Sequence, residues 1–374
     1  MTFGEPTRTW ARMPRGLLLR SAWDETSLSA PYSRGSLDEY IVSIGGTRSE
    51  PIAVELFEAY AAWFRERYAG PGVVTDVVRI ERRANGGFAL TTSDGATWTC
   101  ECVVLAVGVT PFAHIPAPFD ELPPGIVTTP HDDQPTTRDG ERLVVVGGGQ
   151  GALEAAAVAA AAGARTEILC RSPVRWFADR EPHYERSPLS QRLYELAYPV
   201  VGYGPPPLNR LVTHPELFAM LPRRARAAAT RRLLRPGGSA DLRARLEPVR
   251  ISEGVTVTAA RLTEDGALLQ LSDGTSRTVD SLIVATGYRF GVDRLTFLDA
   301  AIRAELAVEG EWPRLSRSFE STAPGLFFAG YAAEGKFGPL SRFVLGSAFT
   351  ANRIAPAVRA AVRTNGASPP SRAG

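Results

Sequence analysis

The chain has 374 residues, 44% hydrophobic and 22% charged, with a formal net charge of +2, the balance of an ordinary globular protein with room for two cores. Near-neutral charge argues against a nucleic-acid partner, and three cysteines and four scattered histidines make neither a disulfide framework nor metal-ligand spacing. No signal peptide is visible and the longest apolar run, ALEAAAVAAAAGA (152–164), is too short to cross a bilayer, so a cytoplasmic protein with structural thiols and no membrane contact is expected.

In chain order, the opening MTFGEPTRTW ends a stub of strand at Phe3, in a turn marked by Gly4 and Pro6 that encloses the acid Glu5. VVTDVVRIER (73–82) follows as a strand through Val77. FALTTSDGATWTCECVVLAVG (88–108) reads as a hairpin around an SDG turn, then a buried strand that stops at Gly108. Cys100 and Cys102 alternate in it and make a poor disulfide pair.

LVVVGGGQGALEAAAVAAAAGARTEILCRSP (143–173) is a strand, a glycine loop, an Ala-rich helix and a second strand. Gly147-x-Gly149-x-x-Ala152 fits the dinucleotide fingerprint: a tight turn, close approach of backbone to a pyrophosphate, and a helix lying close to its strand. Gly147, Gly149, Gln150 and Ala152 are therefore expected to hold the pyrophosphate at a helix N-terminus. After the second strand, an acid would select NAD, whereas Arg accommodates the 2′-phosphate of NADP. Arg171, with Arg175 nearby, selects NADP(H); the competing reading is one more arginine in a chain whose only lysine is Lys336.

The excursion 171–211 is aromatic and rich in proline, and offers Trp176, Tyr184, Tyr194, Tyr198 and Tyr203 to line a substrate pocket. RRARAAATRRLLRPGG (223–238) reads as a solvated helix, with phosphate steering as a second reading. ALLQLSDGTSRTVDSLIVATG (267–287) is again a hairpin around an SDG turn and a buried strand, stopping at Gly287. It aligns without gaps on residues 88–108, with identities that include Ser93/Ser272, Asp94/Asp273, Gly95/Gly274, Ala106/Ala285 and Gly108/Gly287. The spacing predicts an α/β protein of two nested Rossmann-like nucleotide-binding domains in three layers, read as a duplicated unit.

The same ruler applied to the first unit puts Glu5 where Arg171 stands in the second. A glycine loop is then expected on the order of 20 residues before Met1, so the first domain reads as N-terminally truncated. An acid there suits a ribose with a free 2′-OH, as in FAD; the alternative is a surface acid near a terminus. A parallel sheet lacking its central strand exposes edges that a second copy would cover, so a homodimer is expected.

FGEP followed by Trp10, MPRGLLLRSAW (13–23), LAVGVTPF (105–112), VVVGGGQGALE (144–154), VATGY (284–288) and GLFFAGYAAEGKFGPLSRFVLGSAFTANRIA (325–355) resemble the two-domain flavoprotein family. The resemblance is to its flavin-containing and Baeyer–Villiger monooxygenase branch, or to related FAD-dependent NAD(P)H oxidoreductases of bacterial secondary metabolism. It implies a discontinuous FAD-type domain (1–140 and 290–364) and an inserted NADP-binding domain (141–289); the tail (365–374), from its own composition, is expected to be disordered. It also implies Glu5 at the FAD ribose, Arg20 and Ser21 near the diphosphate or flavin, and the Val77 backbone at adenine. Gly108, Gly287 and Gly330 would let backbone approach a cofactor, and Lys336, Phe337, Ser341 and Arg342 would face the flavin. The chain departs from the family where Tyr331 stands for the usual Asp, and where His131 in TTPHDD (128–133) lacks the flanks of the monooxygenase fingerprint.

The activity implied is NADPH-driven, flavin-carried oxygenation of a small organic substrate, chemistry that leaves few catalytic side chains to find. Two other readings stay open. One is a flavin-free NADP(H)-binding protein, or an enzyme of a non-redox step such as cyclisation in a repurposed fold; the other is a non-catalytic interaction protein.

Overall fold

The computed structural model describes residues 1–13, 15–30, 34–70, 72–132, 137–177, 187, 208–364 and 371–372. The chain begins with a two-residue strand, β1 (Thr2–Phe3), then two helices, α1 (Leu37–Ser43) and α2 (Val54–Tyr68). Ser36 caps α1 by accepting from the Glu39 backbone N–H at 3.1 Å, and Asp38 and Glu39 place negative charge in its first turn. The strands β2 (Gly72–Val73), β3 (Val77–Arg82), β4 (Phe88–Thr92), β5 (Thr97–Cys100) and β6 (Val103–Leu105) complete the first unit.

The second unit comprises β7 (Val127–Thr128), β8 (Arg142–Val146), α3 (Gln150–Ala161) and β9 (Arg165–Cys170). Then come α4 (Pro215–Met220), α5 (Arg223–Leu233), β10 (Arg250–Glu253) and the antiparallel strands β11 (Val257–Thr263), β12 (Gly266–Leu271) and β13 (Ser276–Val279). β14 (Ser281–Val284) returns to the parallel sheet, and β15 (Leu326–Phe328), α6 (Glu334–Phe337) and α7 (Gly346–Thr364) close the chain.

Both SDG turns form as their residues require. Gly95 and Gly274 each have φ 82°, a left-handed conformation that glycine adopts without cost, and Asp94 and Asp273 accept the backbone N–H two residues on. In the second unit five parallel strands run in the order β10-β9-β8-β14-β7. α3 packs on one face of this sheet through Ala152, Leu153 and Ala156, together with Leu242 and Leu246. The β11–β13 meander packs on the other through Leu269, Leu271 and Val279, giving the three layers expected.

The first unit repeats the ends of that order. β1 pairs in parallel with β2 as β9 pairs with β10, and β6 pairs in parallel with β15 as β14 pairs with β7. The counterparts of the strands that β8 joins, β1 and β6, each pair on one edge only among the described residues. Val104, in the middle of β6, is 43% exposed. A core of Phe88, Phe112, Phe290, Phe319, Phe327 and Phe328 lies between β3–β6 and the C-terminal segments.

Two expectations change. α5 is not simply solvated: Arg226 and Ala229 are buried, because α4 and α5 pack on α6 rather than on the parallel sheet. Of the tail expected to be disordered, Ser371–Arg372 pairs antiparallel with β5.

Candidate functional site

Ligands of parallel sheets bind beyond the carboxyl ends of the strands, and here two such places are built. At the first, β8 runs into the loop 147–149 and on into α3, whose cap residue is Gly149. Gly147 has φ 143°, and a Cβ on it would lie 2.5 Å from the Ala285 carbonyl oxygen and 3.3 Å from the Ala152 Cβ. The chain can turn there only as glycine, which leaves the first N–H groups of α3 directed at the space above the sheet. A Cβ on Gly149 would meet only Pro236, at 3.6 Å. This cradle fits a pyrophosphate. Ala152 is fully buried against the sheet, as the fingerprint requires.

Gln150 behaves differently from the expectation. Its Nε2 donates to Glu154 Oε1 at 2.5 Å and to Ser239 Oγ at 3.1 Å, and its Oε1 accepts from Ser239 N at 2.8 Å. The side chain is committed within its own lobe, and only its backbone N–H faces the cradle. Arg171 and Arg175 stand exposed just beyond β9, and neither guanidinium has a partner among the described residues.

Arg20 reaches the same lobe. Its guanidinium lies 4.0 Å from the centre of the Phe177 ring, and its charge acts on Glu154. Burial nevertheless pushes the Glu154 carboxyl up to about 7, against the hydrogen bond from Gln150 and the charges of Arg20 and Arg245. A carboxyl raised in the folded state binds more protons folded than unfolded, so its contribution to stability is lost as pH rises from its ordinary 4.5 through about 7. Glu154→Gln is therefore expected to raise Tm relative to the parent at pH 8 and to leave it nearly unchanged at pH 5. Equal differences at both pH values in thermal melts would show that Glu154 is not held neutral.

The second place lies where β14 and β15 end. Gly287 (φ 93°) precedes Tyr288, and Gly330 (φ 67°) precedes Tyr331; a Cβ on either glycine would meet no atom within 4 Å. Gly108 (φ 70°) ends β6 with the same open space. The Tyr288 and Tyr331 rings meet edge-on at 6.3 Å, and His131 stacks on Tyr288 at 5.9 Å. Arg342 lies 4.8 Å over the Tyr331 ring and donates from Nε to Glu334. Burial pushes both phenols up to about 12 and holds the His131 imidazole below its usual value, so these rings are neutral near pH 7. Burial raises the Glu334 carboxyl against the pull of Arg342.

At the foot of α7, the hydroxyls of Ser341 and Ser347 are buried with no hydrogen-bond partner among the described residues. Orphaned buried donors beside a helix start fit the polar edge of a cofactor ring. Of the other residues expected to face a flavin, Lys336 is half-buried and without a partner among the described residues. Phe337 does not face the cleft: it is 3% exposed and stacked 4.1 Å from Phe319, in the core.

The remaining expected positions are dispersed. Glu5 follows β1 and accepts from Arg8 Nε at 3.3 Å, while Arg8 grips Asp76 through both of its Nη atoms. Ser21 is half-buried, and Val77 starts β3 beside a bulge against β4. Trp176 packs on the second core with Arg243 over its ring, rather than lining a pocket. Tyr184, Tyr194, Tyr198 and Tyr203 lie outside the described residues.

Sequence reasoning did not assign Tyr288 to the cleft, nor Tyr331 to the core beneath Arg342. The signal was present, since a tyrosine follows the terminal glycine of both loops. A separate cavity of about 740 Å³ is lined by His114, Arg289, Arg294 and Glu311. Its Arg289 and Glu311 face each other 3.8 Å apart and are largely exposed, so it has no preformed anion site.

Residues 31–181 match the family described as pyridine nucleotide-disulphide oxidoreductase. No curated protein is matched in sequence. The fold is shared with ornithine hydroxylase from Pseudomonas aeruginosa (TM-score 0.73, 17% identity, 95% of this chain and 89% of that one). It is also shared with L-lysine 6-monooxygenase from Pseudomonas syringae (TM-score 0.70, 18% identity, 96% and 90%). A third is the ornithine N-hydroxylase from Kutzneria sp. 744, solved with reduced FAD, NADP+ and L-ornithine (TM-score 0.66, 15% identity, 96% and 98%). The chain is built on the fold of the two-dinucleotide-domain flavoprotein monooxygenases, and that fold together with the family match supports an oxidoreductase.

Proposed function

We propose that the chain is a FAD- and NADPH-dependent oxidoreductase of monooxygenase type that acts on a small organic substrate. The observation that carries this is the Gly147 cradle on one parallel sheet, together with the open glycines 108 and 330 at the strand ends of the other and the orphaned serine hydroxyls that follow them in the chain. In this reading residues 141–289 take NADP(H), and 1–140 with 290–364 take FAD.

FAD, when bound, supplies hydride acceptance and O2 activation. The chain's own residues bind and orient. Backbone N–H groups from Gly149 onward hold the NADP pyrophosphate, and Arg171 and Arg175 hold its 2′-phosphate. Ser341 and Ser347 supply hydroxyls to the flavin edge, and Tyr288 and His131 wall the cleft against water.

The test is the absorbance spectrum of the purified protein before and after incubation with FAD and desalting. Retained flavin that NADPH bleaches under anaerobic conditions is the expected result. A well-folded protein that retains no flavin would falsify the reading. Replacing both Arg171 and Arg175 by alanine is expected to weaken NADPH about 10- to 100-fold, the scale of one or two charge-assisted hydrogen bonds, with NADH affinity unchanged. Equal weakening of the two coenzymes in fluorescence titrations would place the arginines elsewhere.

A further inference from the structure

Arg342 is held as an anchored guanidinium with unused donors. Its side chain is 22% exposed, its Nε is committed to the buried Glu334, and its flat face rests 4.8 Å from the centre of the Tyr331 ring. Neither Nη1 nor Nη2 has a hydrogen-bond partner among the described residues. The fork is not buried unpaired, so it stands open to solvent or to a ligand. The fork here is fixed in direction by a carboxylate behind it and a ring beneath it, with four N–H groups left over. Ser341, the adjacent residue, is 7% exposed and its hydroxyl has no partner among the described residues. Tyr288, past the carboxyl end of β14, is half-buried and offers a flat apolar ring beside the place, while Tyr331 lies buried beneath the guanidinium.

We infer that Arg342 is the recognition residue for a carboxylate on the substrate, so that the chain acts on small organic acids whose apolar body lies against the half-buried Tyr288 ring. Two parallel N–H···O bonds from a fork match a carboxylate, and the Nη edge is the one that the bond from Nε to Glu334 leaves open. The inference rests on the proposed flavin reading for the word substrate; the carboxylate subsite itself does not.

The probe is benzoate, compared with its neutral isostere benzamide, titrated calorimetrically into the protein. Benzoate is expected to bind at least tenfold more tightly than benzamide. The Glu334→Gln/Arg342→Gln double variant replaces the buried ion pair by a neutral hydrogen-bonded pair, and is expected to lose that preference while keeping its thermal transition. Arg342→Lys, which keeps the charge but not the fork, is expected to recover only part of it. FAD retention after desalting is measured on the same proteins and is expected to be unchanged in the double variant. Equal affinity for benzoate and benzamide in the parent overturns the inference. So does a double variant that keeps the preference for benzoate, or one that loses FAD while still binding benzoate, since Arg342 would then serve the cofactor. A parent that prefers benzoate but retains no FAD removes the flavin reading and leaves the carboxylate subsite in place.

Discussion

Replacing Gly147 by alanine is expected to weaken NADPH binding by roughly 100-fold and to destabilise the fold by about 3 kcal/mol, the combined scale of a non-glycine residue forced into a glycine conformation and an overpacked contact. The new methyl group would lie 2.5 Å from the Ala285 carbonyl oxygen, which belongs to backbone at the end of β14 and cannot rotate away. Either β14 separates from β8 or the loop lifts, and in both cases the N–H groups at the start of α3 leave the position in which they would hold the proposed phosphate. Gly151 provides the internal control. A Cβ there meets only Pro130, at 3.8 Å, and the position lies inside α3, where alanine is the better helix former by about 1 kcal/mol. Gly151→Ala should therefore leave stability unchanged or slightly raised. Urea denaturation and coenzyme titration of the two variants decide the matter; equal stability losses at 147 and 151 would show that the tight turn is not the constraint.

Arg226→Ala is expected to cost about 3 kcal/mol, because truncation strands the groups that a buried cation was satisfying. Arg226 is 7% exposed. It donates from Nε to the Gly335 carbonyl at 2.9 Å, from Nη1 to the Leu221 carbonyl at 2.9 Å, and from Nη2 to Glu309 Oε2 at 2.6 Å. These bonds tie α5 to α6 and to the start of the hairpin at Val308–Glu309, next to the cleft that holds Glu334 and Arg342. The loss should appear as a lower urea midpoint at unchanged m-value. Arg232, on the exposed side of the same helix, should tolerate alanine within about 0.5 kcal/mol. An Arg226→Ala loss no larger than that of Arg232→Ala would mean that α5 does not brace the C-terminal block.

Local patterns determined much of this protein. LVVV before Gly147 is a strand because its apolar run is buried on both faces, and the run of alanines after Gly149 is a helix because alanine packs close to that strand. The SDG turns, the strands that follow them and the terminal glycines 108 and 287 were legible because each depends on residues a few positions apart, and the repeat showed the same solution twice. The tight turn at Gly147 was legible for the same reason.

Contacts between segments far apart in sequence were decided only by the tertiary structure. Nothing near Gln150 announces Ser239, nor anything near Arg226 the Gly335 carbonyl, so a side chain read as a ligand became a brace and a helix read as solvated became half-buried. Phe337 was assigned to the cleft by its block of sequence, but Phe319 and Phe349 offered it more apolar surface in the core. Tyr288, Tyr331, Arg342 and His131 come together because β14 and β15 end side by side in space, although more than forty positions of chain separate them, roughly 140 Å if fully extended. Burial then sets the protonation of those groups, and burial is a property of the assembled fold.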